Sequence, residues 1–355
     1  MSARVLVLHG YSAENAGDGL LVRETLELVR EAVGNDAQIT LLASRPETFD
    51  GLGVTAFPTV PTRRGWDARA RRALRRIDEY DLVVAVGGGY LRAGTVTETL
   101  KTALVHGPQL RAAARTTAPT VYLPQSIGPA RYGTAPILRR ALRKLDRVMA
   151  RDDRTIKEVG GPSVTRWPDL ATAGVVGGRQ PGAEVHPVPV LSIRAVHGKI
   201  NPDIYELARQ LDAYDGYIQS TVGGNDDRPA AATLAPRENV DREVLMGPGG
   251  QPRVVIAVRL HAALMALAAG HYVVHLAYER KGFGAFGDLG LDDWVHRVNH
   301  FDVDTVRDQV HRLLTDPSIR TDYDRRIADA RRHIIEARDR IVDTLRISLT
   351  GTTRG

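Results

Sequence analysis

Cations close three apolar runs in the second half of the chain. Arg194 ends "VPVLSIR", Arg259 and His261 follow "VVIAV", and Arg280 and Lys281 follow "YVVHLAY". Arginine is seldom buried without a partner, so its repeated use at the ends of buried runs asks for a reason. Several cations at one mouth suit a small, highly charged anion, because guanidinium forks match carboxylate and phosphate oxygens. His261 flanks Arg259, and a histidine ring titrates near neutrality, which suits acid–base work. The plainer reading of each is local: a satisfied structural histidine, or an arginine at an ordinary strand end.

The first half offers polar and glycine-rich strand ends. In "HGYSAENAGDGLL", Asn15, Gly17, Asp18 and Gly19 fall where a loop enters a helix. Glycines there let backbone approach a ligand, and helix-start amides bind anions; Asp18 could equally cap the helix. "VVAVGGGYL" places Gly87, Gly88 and Gly89 after a buried run, as ligand backbone or as a tight turn. "VYLPQSIGP" ends in Gln125 and Ser126, which can bond a sugar hydroxyl or cap a turn. In "MARDDRTI", Arg151 and Asp152 are expected to pair with one another. The Asp-Asp pairs at 152–153, 226–227 and 292–293 lack the converging oxygens a hard cation needs, so no metal is expected.

Strand-like and helix-like runs alternate, and the strands are continuously apolar, which predicts parallel sheet covered on both faces. "RVLVLHG", "QITLLAS", "DLVVAVGGG", "TVYLPQS" and "RVMARD" form a first series, with helices predicted over 19–33, 66–80, 96–114 and 136–145. Residues 174–187, rich in Gly and Pro, read as a linker. "VPVLSIR", "GYIQSTV", "VVIAV" and "YVVHLAY" form a second series, with a helix over 202–214. His271 and His275 read as core or edge residues. The expected domains are 1–175 on the acceptor side and 188–315 on the donor side. Residues 316–355 form a helix docking on them through a stripe of Ile327, Ala330, Ile334, Ala337, Ile341 and Leu345. Two open α/β domains in series are expected to hold a ligand cleft between them, where the carboxyl ends of strands converge.

The bulk composition narrows the partners. A chain of 355 residues, 43% hydrophobic and 25% charged, carries a real core. Aromatics at 5% argue against stacking platforms for single-stranded nucleic acid. The net charge of +6 favours anionic partners. With no cysteine, disulfides, thiolate metal sites and a cysteine nucleophile are excluded. No signal peptide and no membrane-spanning run is evident, which predicts a cytoplasmic protein with at most peripheral membrane contact. The basic runs "RRGWDARARRALRR" and "ILRRALRKLDR" read as solvated helix faces, or as a lipid-phosphate surface.

Taken together, "NAGDGLL", "VVAVGGGY", "LPQSIGP", "ARDDRT", "SIR", "RLHAALMALAAG" and "AYERKGFGAFGDLGL" resemble the polysaccharide pyruvyl transferase family over residues 8–295. Val258 stands where the family commonly has glycine, His271 and Tyr272 where proline is common, and Thr155 where serine is usual. The resemblance implies two Rossmann-like domains facing across a cleft, as in GT-B glycosyltransferases. It implies transfer of pyruvate from phosphoenolpyruvate, a co-substrate and not a cofactor, onto two hydroxyls of a glycan sugar as a ketal. Arg194, Arg259, Leu260 and Lys281 then bind the donor, with His261 and secondly Asp18 as acid–base groups. Asn15, Gly17, Gly87, Gly88, Gly89 and Gln125 then line the acceptor, a sugar of a cell-surface glycan or its lipid-linked precursor; no nucleic acid partner is expected. Two other readings stay open at this point: a GT-B-like glycosyltransferase using a nucleotide sugar, and a non-catalytic binder of acidic glycans or nucleic acid.

Overall fold

The computed structural model describes residues 2–179, 184–196, 198–221, 226–247 and 249–351. The chain divides into two compact units. The first comprises residues 1–13, 18–170 and 337–355; the second comprises residues 14–17 and 171–336. Among the described residues, no helix is long and apolar enough to cross a membrane.

The first unit is built on seven strands: β1 (Arg4–Gly10), β2 (Gln38–Ala43), β3 (Thr55–Pro58), β4 (Leu82–Ala85), β5 (Thr120–Gln125), β6 (Arg147–Ala150) and β7 (Val164–Arg166). Their order across the sheet is β3-β2-β1-β4-β5-β6-β7, and every pairing is parallel. Val5 to Leu8 and Leu82 to Ala85 are completely buried because helices cover both faces. The alternate residues of β1 go to different cores. Val5 and Val7 pack with the helix Ala16–Val33, and Leu6 and Leu8 with the helices on the other face. The chain order reverses between β1 and β4, so these carboxyl ends are where such a sheet takes its ligand.

The second unit has five strands: β8 (Val190–Ser192), β9 (Asp215–Gly216), β10 (Val254–Ala257), β11 (Tyr272–Ala277) and β12 (Val295–Arg297). Their order is β12-β11-β10-β8-β9, again all parallel. Here the order reverses between β8 and β10. Both units are therefore doubly wound α/β sheets of the Rossmann kind.

Three local readings differ from expectation. "GYIQSTV" is not a full strand: only Asp215 and Gly216 pair with β8. The chain then leaves the ladder, because the Ser220 main chain is tied to Asp227, its N–H donating to Asp227 Oδ2 at 3.1 Å and its carbonyl accepting from Asp227 N at 2.8 Å. The expected linker 174–187 begins inside a helix, Ala171–Gly178, whose Val175 and Val176 are buried; residues 180–183 lie outside the described residues. The helix predicted over 96–114 runs from Val96 to Ala113 but contains a π-helical turn, Thr102–His106.

The C-terminal helix runs from Pro317 to Thr350. Its residues up to Glu336 group with the second unit and those from Ala337 with the first. Ile327, Ile334, Ala337, Ile341 and Leu345 are buried, the stripe the spacing predicts, with Ala330 only partly covered. In the second unit, Arg179 donates to Asp324 Oδ1 through Nε at 2.8 Å and Nη2 at 2.6 Å, and Tyr323 Oη donates to the Val273 carbonyl at 2.9 Å.

Candidate active site

The second unit places its cations where its strand order reverses. Arg194 lies two residues beyond β8, and Arg259 two beyond β10, so they flank the switch point. Arg259 is the N-cap residue of the helix Leu260–Ala268, without a side-chain cap bond of its own. Its Nε donates to Asp227 Oδ2 at 2.8 Å and its Nη2 to Asp227 Oδ1 at 2.7 Å. Both side chains are almost wholly buried, 8% and 2% exposed. This bidentate pair resolves the cost of burying a cation, since an unpaired buried guanidinium would be prohibitive. Burial pushes the Asp227 carboxyl up, and Arg259 and Arg194 oppose that shift. Arg194 lies over the Tyr278 ring at 5.1 Å and donates to its hydroxyl at 2.8 Å. Lys281 is paired with Glu279 at 2.9 Å.

Leu260 is buried, so its side chain belongs to the core and only its main-chain N–H can meet a ligand. Val258 is likewise fully buried. His271 accepts from the Arg253 N–H at 3.0 Å, and His275 Nδ1 lies 2.7 Å from the Ala257 carbonyl; both are buried core residues.

His261 explains Gly17. A Cβ on Gly17 would lie 2.3 Å from His261 Nδ1 and 2.6 Å from its Cβ, so the imidazole rests on bare backbone. Asn15 pairs with Ser220 in an isolated antiparallel bridge, and Ser220 holds Asp227. Residues 14–17 thus group with the second unit and its arginine–aspartate pair. Asp18 groups with the first unit and sits in the first turn of the helix Ala16–Val33, half-buried.

In the first unit the triple glycine prolongs β4 against β5. The Ser126 N–H donates to the Gly88 carbonyl at 2.7 Å, Gly88 bridges Gln125, and a Cβ on Gly87 would meet the Pro124 carbonyl at 2.8 Å. Gly87 therefore has a structural reason to lack a side chain, while Gly88 takes a φ of 155°. Gly89 lies under Arg151, whose Nη2 a Cβ there would approach to 3.6 Å. Arg151 does not pair with Asp152 as expected. It binds Asp169 at 2.5 Å and Ser126 Oγ at 3.1 Å, while Asp152 caps the next helix by accepting from Thr155 N at 2.8 Å. Thr155 Oγ1 in turn accepts from the Ile127 N–H at 3.0 Å, which a serine hydroxyl would also do. Gln125 is fully buried, and neither its amide nor the Tyr90 hydroxyl beside it makes a well-formed hydrogen bond among the described residues.

A histidine pair that sequence reasoning passed over sits at the same end of the sheet. His9, the penultimate residue of β1, has a left-handed φ of 67°, a strained choice for a side-chain-bearing residue. Its Nδ1 lies 3.2 Å from His106 Nδ1, its Nε2 3.2 Å from the Tyr122 hydroxyl, and its ring stacks on Tyr90 at 4.3 Å. Burial, then the neighbouring His106, hold His9 well below its usual range; burial and Lys101 push His106 down to about 3. Both rings are neutral at pH 7. The strand-end rule that selects Arg259 selects His9 as well. No local signal selects Asp227, which lies 32 residues from its arginine.

No curated protein matches the chain by sequence. Solved structures of the same fold are far diverged. An α-glucosyltransferase in complex with UDP and a 13-mer DNA is 10% identical, with a TM-score of 0.53 over 96% of this chain and 100% of that one. A UDP-GlcNAc 2-epimerase from Neisseria meningitidis is 11% identical, with a TM-score of 0.53 over 94% and 99%. The glycotransferase of kitacinnamycin is 13% identical, with a TM-score of 0.53 over 98% and 100%. These likenesses establish a GT-B-like fold. The polysaccharide pyruvyl transferase model matches residues 15–239. That span takes in Asn15, the triple glycine, Gln125, Arg194 and Asp227, and ends before Arg259, His261 and Lys281. With more than half of its length matched, the chain belongs to the polysaccharide pyruvyl transferase family.

Proposed function

We propose that the protein transfers the enolpyruvyl carbons of phosphoenolpyruvate to a sugar of a cell-surface glycan or its lipid-linked precursor, forming a pyruvate ketal and releasing phosphate. The observation that supports the donor is the placement of Arg194 and Arg259 at the switch point of one sheet, beside a helix N-terminus. Phosphoenolpyruvate carries a carboxylate and a phosphate on one small frame, and arginine forks match both. Arg194 and Arg259 clamp it, Lys281 assists, and the Leu260 N–H adds a main-chain donor. Asp227 orients the Arg259 fork.

The chemistry then runs in four steps. A proton adds to the enol methylene carbon, and a sugar hydroxyl attacks C2 and loses its proton. The resulting tetrahedral carbon bears phosphate; its C–O bond to phosphate breaks with the electron pair leaving on phosphate. The second hydroxyl closes the ketal and loses its proton. The sequence is redox-neutral, because the gain of hydrogen at the methylene carbon offsets the gain of oxygen at C2. The cations stabilise the departing phosphate, and His261, with Asp18 second, moves the protons. The acceptor is read on the first unit, with Gln125 and Gly89 as its contacts; the buried Gln125 amide is a polar group suited to a sugar hydroxyl. The reaction is assigned to the cytoplasm.

Thermal unfolding with phosphoenolpyruvate, beside a panel of nucleotide sugars, tests the donor. A ligand at 100 times its Kd adds about 2.7 kcal/mol. Stabilisation by phosphoenolpyruvate that is lost in Arg194→Ala and weakened in Arg259→Lys is the expected result. The lysine keeps a charge beside Asp227 but removes the fork. Stabilisation by a nucleotide sugar alone overturns the pyruvyl donor.

A further inference from the structure

The first unit carries an exposed apolar stripe that its own core does not use. Along the helical run from Val96 to Ala113, Val96, Leu100 and Leu104 recur every four residues and are 61%, 57% and 46% exposed. Val105, His106, Gln109 and Leu110 of the same run are buried. The π-helical turn Thr102–His106 rotates less per residue than an α-helix, so Leu104 stays near the line of Val96 and Leu100. Trp66, 40% exposed, joins the stripe, its indole N–H donating to the Leu104 carbonyl at 3.3 Å. An exposed Trp beside exposed leucines is the composition of a surface made for a polar–apolar boundary.

The surroundings of Trp66 are cationic. Seven arginines and one acid, Asp67, lie between residues 63 and 76. The helix Ala68–Arg75 buries Ala70 and Ala73 and leaves Arg69, Arg71, Arg72 and Arg75 in solvent. Asp67 is spent as that helix's cap, accepting from Arg69 N at 2.8 Å and Ala70 N at 3.1 Å. The excess positive charge has no acidic face within this segment to balance it. An apolar stripe with a flanking arginine array is complementary to an anionic bilayer, where side chains insert at the acyl boundary and guanidinium groups meet lipid phosphates.

We propose that this face, Trp66 with Val96, Leu100 and Leu104 flanked by the 63–76 arginines, docks the protein on an anionic phospholipid membrane. The proposal stands apart from the pyruvyl-transfer reading, and its test uses neither donor nor acceptor. The full chain is floated with vesicles of phosphatidylcholine alone and of phosphatidylcholine with phosphatidylglycerol. Binding to the anionic vesicles, reduced by salt and absent with neutral ones, is expected. Leu100→Ser with Leu104→Ser, and separately Arg71→Glu with Arg75→Glu, are expected to cut it about tenfold or more. All four side chains are exposed, so unchanged thermal midpoints establish that the variants fold. Absence of binding to anionic vesicles at low salt overturns the proposal, as does binding indifferent to either pair of substitutions. A concentration-dependent dimer abolished by the leucine substitutions would overturn it too, assigning the face to a second copy.

Discussion

His261 and Gly17 form one packing unit, because the ring occupies the space a side chain at residue 17 would need. Gly17→Ala keeps a helix-compatible residue in the first turn of Ala16–Val33 and so disturbs backbone little. Its cost falls on His261, whose ring and Cβ must both move to clear a methyl carbon. If His261 has the acid–base role proposed above, the expected outcome is a fall in kcat of about tenfold or more with a smaller change in the donor KM, because a misplaced acid–base group weakens the transition state more than ground-state binding. Steady-state kinetics with phosphoenolpyruvate check this. Unchanged kcat would separate His261 from the chemistry. Asp227 plays the parallel part for Arg259: a buried carboxylate holding a buried fork at 2.7 and 2.8 Å contributes geometry more than net stability.

At the scale of elements, the helix Ala16–Val33 is fastened to the C-terminal helix by polar as well as apolar contacts. Arg338 binds Glu31 at 2.7 Å, and Ile341, Val342 and Leu345 share a core with Leu21, Leu26 and Val29. Glu24 lies in that same region, and its carboxyl is pushed up to about 7, by burial first and then by Glu27. A carboxyl whose folded pKa is raised costs stability as pH climbs from its unfolded value near 4.5 through 7, because the unfolded chain ionises it first. Glu24→Gln is therefore expected to raise the urea midpoint at pH 8 and leave it nearly unchanged below pH 4. A loss of stability at pH 8 would mean that the ionised carboxylate is a net stabilising partner of Arg338.

At the scale of the whole molecule, the four histidines buried among the described residues set the response to acid. His9 is held well below its usual range, His106 at about 3, and His271 and His275 at about 4, in each case chiefly by burial. These rings are neutral in the folded chain and take up protons near pH 6.5 once it unfolds. The contribution of these rings is thus complete above pH 6.5 and is lost as pH falls from there towards 4. Each ring adds a slope of about 1.4 kcal/mol per pH unit within that window. Urea unfolding from pH 8 to pH 4 is expected to show a plateau and then a steep decline. His275→Asn, which keeps a polar side chain by the Ala257 carbonyl, is expected to flatten the decline. A stability that stays level down to pH 4.5 would contradict neutral burial of these rings.

Much of this molecule is written locally. Continuous apolar runs and the turns after them, read alone, indicate two successive α/β series, a C-terminal helix with one buried stripe, and strand ends bearing Arg194, Arg259, His261 and Gln125. The ordered motifs carry the family. Such features are legible because hydrophobic periodicity and glycine placement act within a few residues. Other features depend on residues far apart in the chain. Asp227 is joined to Arg259, Asp169 to Arg151 in place of the adjacent Asp152, His106 to His9, and residues 14–17 to the second unit. Each is a buried polar or close-packed contact, satisfied by whichever group the fold brings within reach. Spacing along the chain says nothing of that distance, so these partnerships were decided by the tertiary structure.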